Sequence, residues 1–186
     1  MARMVSLLLF TFLVVGATSA HAQDPPPVEI PVIPADPADV ESIDGIVAAF
    51  YGTISGPVGA PREWGRDATL YLPGIAFTPA QIGPDGRPRA RTTPKDEWVQ
   101  EADAFLVGSG FVERELHRET LRFGNIAQVW STYEWETADG KRGRGINSIH
   151  LFHDGDRWWI THATWDSERP DNPIPDMYLP GDQSAP

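Results

Sequence analysis

The stretch GINSIHLFHDGDRWWITHATWDSERPDNPIP, Gly145 to Pro175, constrains the fold more than any other part of the chain. Two runs rich in β-branched and aromatic residues flank Asp154-Gly155, a dipeptide suited to the positive φ angles of a tight hairpin turn. The second run is heavy in tryptophan and leaves through a proline-rich exit. The same period-two alternation extends upstream. Phe111 to Phe123, Ile126 to Thr137, Arg144 to His153 and Trp158 to Ser167 read as four antiparallel strands, the first pair joined at Gly124-Asn125.

Ahead of these strands the period is helical. Asp36-Pro37 supplies an N-cap and a first-turn proline, and Val40, Ile43, Val47, Phe50 and Ile54 recur on one face until Gly56-Pro57. A short helical segment is expected around Arg62 to Arg66, and a strand at Ala68 to Leu72 ended by Pro73-Gly74. Pro73 to Arg91, with its Pro84-Asp85-Gly86 turn, reads as a long loop or irregular hairpin of the kind that often rims a binding site. Gly83-Pro84-Asp85-Gly86 lacks the strand-to-helix context of a phosphate loop. Thr93-Pro94 opens a second amphipathic helix that carries Trp98, Ala102, Phe105 and Leu106. Three helical segments followed by an antiparallel meander give an α+β domain with helices on one face of the sheet.

The first 22 residues read as a signal peptide. Arg3 provides the positive start, Val5 to Val15 the apolar run, and Ala20-His21-Ala22 the cleavage site. The run falls well short of the roughly 20 apolar residues that span a bilayer. Cleavage before Gln23 implies a secreted or periplasmic protein with no membrane attachment. Residues 23–37 form a proline-rich tether, and residues 38–180 the domain with its C-terminal tail. The chain has no cysteine, so an exported domain of about 160 residues must draw its stability from its own core rather than from disulfides. Its net charge is −11, and loss of Arg3 makes it about −12, a balance that repels phosphate backbones and anionic lipid. Nucleic acid is not expected as a partner.

Several motifs carry a resemblance to the nuclear transport factor 2-like (SnoaL-like) superfamily. They are the helix from Val40 to Ile54, Arg66-Asp67-Ala68-Thr69-Leu70 at the first strand, the Phe123-Gly124-Asn125-Ile126-Ala127 turn, and Trp158-x-Ile160 in the closing strand. Asp156 stands where the family's G-x-W-x-I pattern has glycine. The tail Glu168-Arg-Pro-Asp-Asn-Pro-Ile-Pro175 is similar to that of an uncharacterised secreted subgroup. The resemblance implies a cone of curved antiparallel sheet with the three helical segments packed on its concave face. It also implies that Trp158-x-Ile160 points into the cone.

Strict alternation then sorts the side chains. The concave face is expected to hold Arg118, Ser131, Tyr133, Asn147, His162 and Asp166 among apolar neighbours, a mixture suited to orienting a small molecule. The alternative is ordinary hydrogen bonding within a core. Glu113, Glu115 and Glu119 read as a solvated face. Isomerase-like relatives place a general base where this chain has Leu72, before Pro73, although Tyr51 remains available as a hydrogen-bond donor. His162 and Asp166 share a face but lie about 13 Å apart along the strand, beyond direct contact. His150 and His153 fall on opposite faces, so no metal site is expected, and no cofactor either.

No catalytic residue set emerges from the sequence. The leading expectation is an exported domain that binds a small, mostly apolar molecule in its cone. A cofactor-independent dehydratase-, isomerase- or hydrolase-like enzyme using His162, Tyr133 and Asn147 is one alternative. An interaction module with a closed core is another. The outer sheet face, expected to carry Trp130, Phe152, Trp159 and Trp165, predicts a homodimer unless the tail from Arg169 to Pro180 folds back over it.

Overall fold

The computed structural model describes residues 27–181. The expected signal peptide, residues 1–22, lies outside the described residues, as do the first four residues of the expected tether. Helix α1 (Pro37–Val40) opens on Asp36, whose carboxylate accepts from the Ala38 N–H. Helix α2 (Ile43–Gly52) opens on Ser42, whose hydroxyl accepts from the Gly45 N–H at 2.9 Å. The single helix expected over Val40 to Ile54 is therefore two, because Ser42 adopts extended backbone and caps a new start. Helix α3 (Trp64–Ala68) follows.

The expected strand at Ala68 to Leu72 reduces to one parallel bridge, Tyr71 to Ile160. Strands β1 (Ala76–Phe77), β2 (Ala80–Ile82), β3 (Pro88–Ala90) and β4 (Thr93–Pro94) make up the irregular hairpin region. Helix α4 (Lys95–Ser109) ends at Gly110, whose φ of 64° is left-handed and suits glycine. The four long strands are β5 (Val112–Phe123), β6 (Ile126–Glu136), β7 (Arg142–His153) and β8 (Trp158–Ser167). They join β1 and β4 in one sheet of order β4-β1-β8-β7-β6-β5. Among the described residues no helix is long and apolar enough to cross a membrane.

Two one-residue bulges shape this sheet. In β5, Glu115 pairs with Tyr133 and His117 with Thr132, leaving Leu116 extra. In β8, Ile160 pairs with Leu151 and His162 with His150, leaving Thr161 extra. Each bulge bends its strand and reverses the face of every residue beyond it. The bends curl the sheet into a cone around α2 and α4, with Ile46, Val47, Val129, Ile149 and Ile160 fully buried between sheet and helices. A second cluster joins α4 to the chain's entry: Val28 and Ile30 pack near Trp64 and Val99, and the Val28 backbone exchanges two hydrogen bonds with the Gln100 side chain. The start of the described tether is thus docked on α4, while Val32 and Ile33 beyond it are exposed.

The tail returns over the outer face. Its 3-10 turn Asp176–Tyr178 sets the Tyr178 ring 5.9 Å from Trp130, and Thr132 donates to the Tyr178 carbonyl at 2.6 Å. Of the four aromatics expected on that face, Trp165 instead lies inside the cone. Trp159 is covered by the Arg157 guanidinium at 3.7 Å and donates to Asp154. Exposed apolar side chains remain at the β5–β6 end, chiefly Leu121, Phe123 and Ile126, with Phe152 beside them.

Candidate functional site

Small residues in β7 make the cone hollow. A methyl group on Gly143 would lie 2.8 Å from the Trp135 indole, and one on Gly145 would collide with the Tyr133 hydroxyl. Glycine at these two places lets both rings lie flat across the neighbouring strand. Opposite them, α4 contributes Trp98, Ala102 and Phe105, while β8 contributes Trp165. Phe77 meets Trp98 edge-on at 5.2 Å and Trp165 at 5.7 Å, and Phe111 stacks on Trp135 at 5.9 Å. These rings line a half-open cavity of about 340 Å³, within the range typical of small-molecule pockets. The cone is therefore not filled by its own side chains.

Polar groups enter this aromatic chamber from the sheet. Asn147 Nδ2 donates to Glu113 Oε1 at 3.3 Å and to the Tyr51 hydroxyl at 3.1 Å. Tyr51 and Ser131 share a 2.7 Å hydrogen bond, and Ser131 donates to Glu115 at 2.5 Å. Glu115 in turn receives both Nε and Nη2 of Arg118, whose Nη1 reaches Asp44 at 2.6 Å. Arg118 and Ser131 thus sit in a self-satisfied network beneath the cavity. Glu113 differs from Glu115. Burial pushes its carboxyl up to about 7, opposed only by the Asn147 hydrogen bond. Burial also pushes Tyr133 up to about 12, offset by a hydrogen bond with Ser167.

A second polar cluster closes the helical side. Lys95 Nζ pairs with Asp67 Oδ2 at 2.7 Å, both nearly inaccessible. Thr53 and Tyr71 each donate to Asp67 Oδ1 at 3.2 Å. Burial raises the Asp67 carboxyl, and the Lys95 ammonium works against that rise.

Tyr133 and Asn147 line the cavity as expected, with Arg118 and Ser131 in the adjoining network. His162 and Asp166 do not. The Thr161 bulge turns both to the outer face, where His162 lies 5.9 Å from His150 and Asp166 pairs with Arg169 of the tail at 2.5 Å. No triad of His162, Tyr133 and Asn147 exists. Among the described residues no group of three His, Asp or Glu side chains gathers as a metal site.

Glu113 and Glu115, read as solvated, face the cone because the Leu116 bulge reverses the parity of the strand's start. The apolar residues of VERELHRE, Val112 and Leu116, share one parity and point the reading to the wrong face, because Leu116 is itself the bulge. In β8 a signal was available. The apolar residues run Trp158, Ile160, then Ala163 and Trp165, and the three-residue step marks the bulge. A second hollow, between tail and outer face, is lined by Trp130, Ile146, Ile174 and Tyr178. Its carboxylates Asp166 and Glu168 are already paired, with Arg169 and Arg144.

No protein-family model and no curated protein matches the chain. Solved structures do match, at low identity. A protein with a cystatin-like fold from Caulobacter vibrioides is 17% identical, with 69% of this chain and 89% of that one covered and a TM-score of 0.48. The S. rosetta CaMKII hub is 14% identical, with 67% and 90% covered and a TM-score of 0.43. A nuclear transport factor 2-like superfamily protein from Salmonella enterica is 17% identical, with 57% and 75% covered and a TM-score of 0.37. The architecture of this chain is α+β, with helices laid into the concave face of a curved sheet that is antiparallel except where β1 pairs with β8 in parallel, the cone expected from its sequence.

Proposed function

We propose that this is an exported domain that binds a small, mostly apolar molecule within the cone. The observation that carries the reading is the chamber itself: aromatic walls from α4, β6 and β8 around about 340 Å³, with polar groups confined to one side. Export rests on the leader-like residues 1–22 and on a cysteine-free domain with a well-packed core. Titration with the neutral fluorophore N-phenyl-1-naphthylamine tests the binding. One site per chain is expected, lost in Ala102→Trp, which plugs the chamber from α4. Binding that survives the plug would place the site elsewhere.

A second reading, a cofactor-independent enzyme, is favoured by one observation. Glu113 is a carboxyl in apolar surroundings, poised near neutrality and so able to take or give a proton. It replaces His162 as the acid–base group of that reading, with Tyr133 and Asn147 retained beside it. Turnover that vanishes in Glu113→Gln while binding persists would establish it.

The homodimer also belongs to this proposal, on a smaller surface than expected. Leu121, Phe123, Ile126 and Phe152 would seat against a second copy. Light scattering at micromolar concentration, with Phe123→Lys as control, distinguishes dimer from monomer.

A further inference from the structure

Glu113 is a buried carboxyl with no cationic partner among the described residues. Both acidic neighbours in the cone are matched, Glu115 by Arg118 and Asp67 by Lys95. Among the described residues no lysine or arginine pairs with Glu113, whose carboxylate receives only a long hydrogen bond from the neutral Asn147 amide. A buried charge normally finds a counter-charge or is lost to protonation. Here the position a counter-charge would occupy is open cavity.

The walls facing that position are the faces and edges of Trp98, Trp135, Trp165, Phe77 and Phe111. Aromatic faces carry a negative quadrupole that attracts ammonium groups and repels anions. A ligand carboxylate would meet Glu113 with no cation to neutralise either. A purely apolar ligand would leave the carboxylate desolvated and unmatched. The molecule as a whole, at net charge −11, also draws cations toward itself.

We infer that the cavity takes an organic cation, a hydrophobic amine or quaternary ammonium compound, whose apolar body lies among the tryptophans and whose charged nitrogen pairs with Glu113. This rests on the binding function proposed above and narrows its ligand to one charge class.

The inference predicts a pH dependence. The titratable groups facing Glu113 are Tyr51 from α2, Tyr71 from the segment after α3, Glu115 on its own strand and Tyr133 from β6, while α4 presents only apolar side chains to the cavity. The tyrosines are held above their ordinary range by burial, and Glu115 is tied to Arg118. Glu113 is thus the group that titrates near neutrality, with its carboxyl at about 7. An aliphatic amine stays charged throughout.

Calorimetric titration with 4-phenylbutylamine, 4-phenylbutanol and 4-phenylbutyrate compares cation, neutral molecule and anion on one body. At about pH 8 the amine is expected to bind about tenfold or more tighter than the alcohol, with the acid weakest. Between about pH 8 and pH 6 amine affinity should fall about tenfold as the carboxylate fraction falls, with alcohol affinity unchanged. Glu113→Gln, nearly isosteric, should erase the preference for amine over alcohol. Equal or tighter binding of the alcohol at about pH 8 overturns the cation assignment and leaves the apolar binding function standing. So does a preference that survives Glu113→Gln or ignores pH in the unaltered protein. If none of the three probes binds, both readings fall together.

Discussion

Replacing Glu113 by glutamine should stabilise this protein at alkaline pH and do almost nothing in acid. In the unfolded chain the carboxyl loses its proton near the ordinary value of 4.5, whereas in the folded protein burial delays this to about 7. Between those values the native state binds a proton that the unfolded state has released. Stability therefore falls as pH rises through the window. At 1.36 kcal/mol per pH unit, ionised Glu113 costs the unliganded fold about 3 kcal/mol at most. Glutamine keeps an oxygen for the Asn147 amide and carries no charge. Urea denaturation followed by tryptophan fluorescence should show Glu113→Gln about 2–3 kcal/mol more stable at about pH 8, and equal within about 0.5 kcal/mol at about pH 4. A difference independent of pH, or a variant less stable at about pH 8, would refute the idea of an uncompensated carboxylate in the cone.

Three other outcomes follow from the same geometry. Lys95→Met leaves the Asp67 carboxylate buried without its cation and should cost about 3–5 kcal/mol in denaturant unfolding, most of which Asp67→Asn in the same chain should restore. Gly145→Ala drives a methyl group into the Tyr133 hydroxyl and the Asp166 carbonyl. It should cost about 1–3 kcal/mol by the same assay and weaken probe binding by tilting the Tyr133 ring. Ending the chain after Glu168 removes Ile174 and Tyr178 from the outer face and uncovers Trp130. Light scattering should then report association beyond the dimer of the full chain at equal concentration.

The four long strands were legible in the sequence to within a residue or two. Alternation over ten or more residues is a strong signal, and Gly124-Asn125 and Asp154-Gly155 punctuate it. Which side chain meets which was less legible. Parity depends on counting residues, and one extra residue at Leu116 or Thr161 reverses it. Tyr133 and Asn147 were placed in the cone because β6 and β7 pair without interruption from Ile126 to Glu136. His162 and Asp166 were misplaced because they lie beyond a bulge, and Glu113 was missed because it lies before one. The same bulges curl the sheet, so the residues hardest to read are those whose strands are bent to make the cavity. Helix α2 was found by its period, but its separation from α1 was not, since the apolar spacing runs unbroken across Ser42.

Native mass spectrometry of the full chain and of Ala102→Trp, each offered 4-phenylbutylamine, tests the central claim most directly. The account predicts one added molecule per chain for the unaltered protein, at a cavity of about 340 Å³, and none for the plugged variant when both retain the same charge-state envelope. Equal loading of the two proteins, or no loading of either with the amine or with 4-phenylbutanol, would contradict a binding site within the cone.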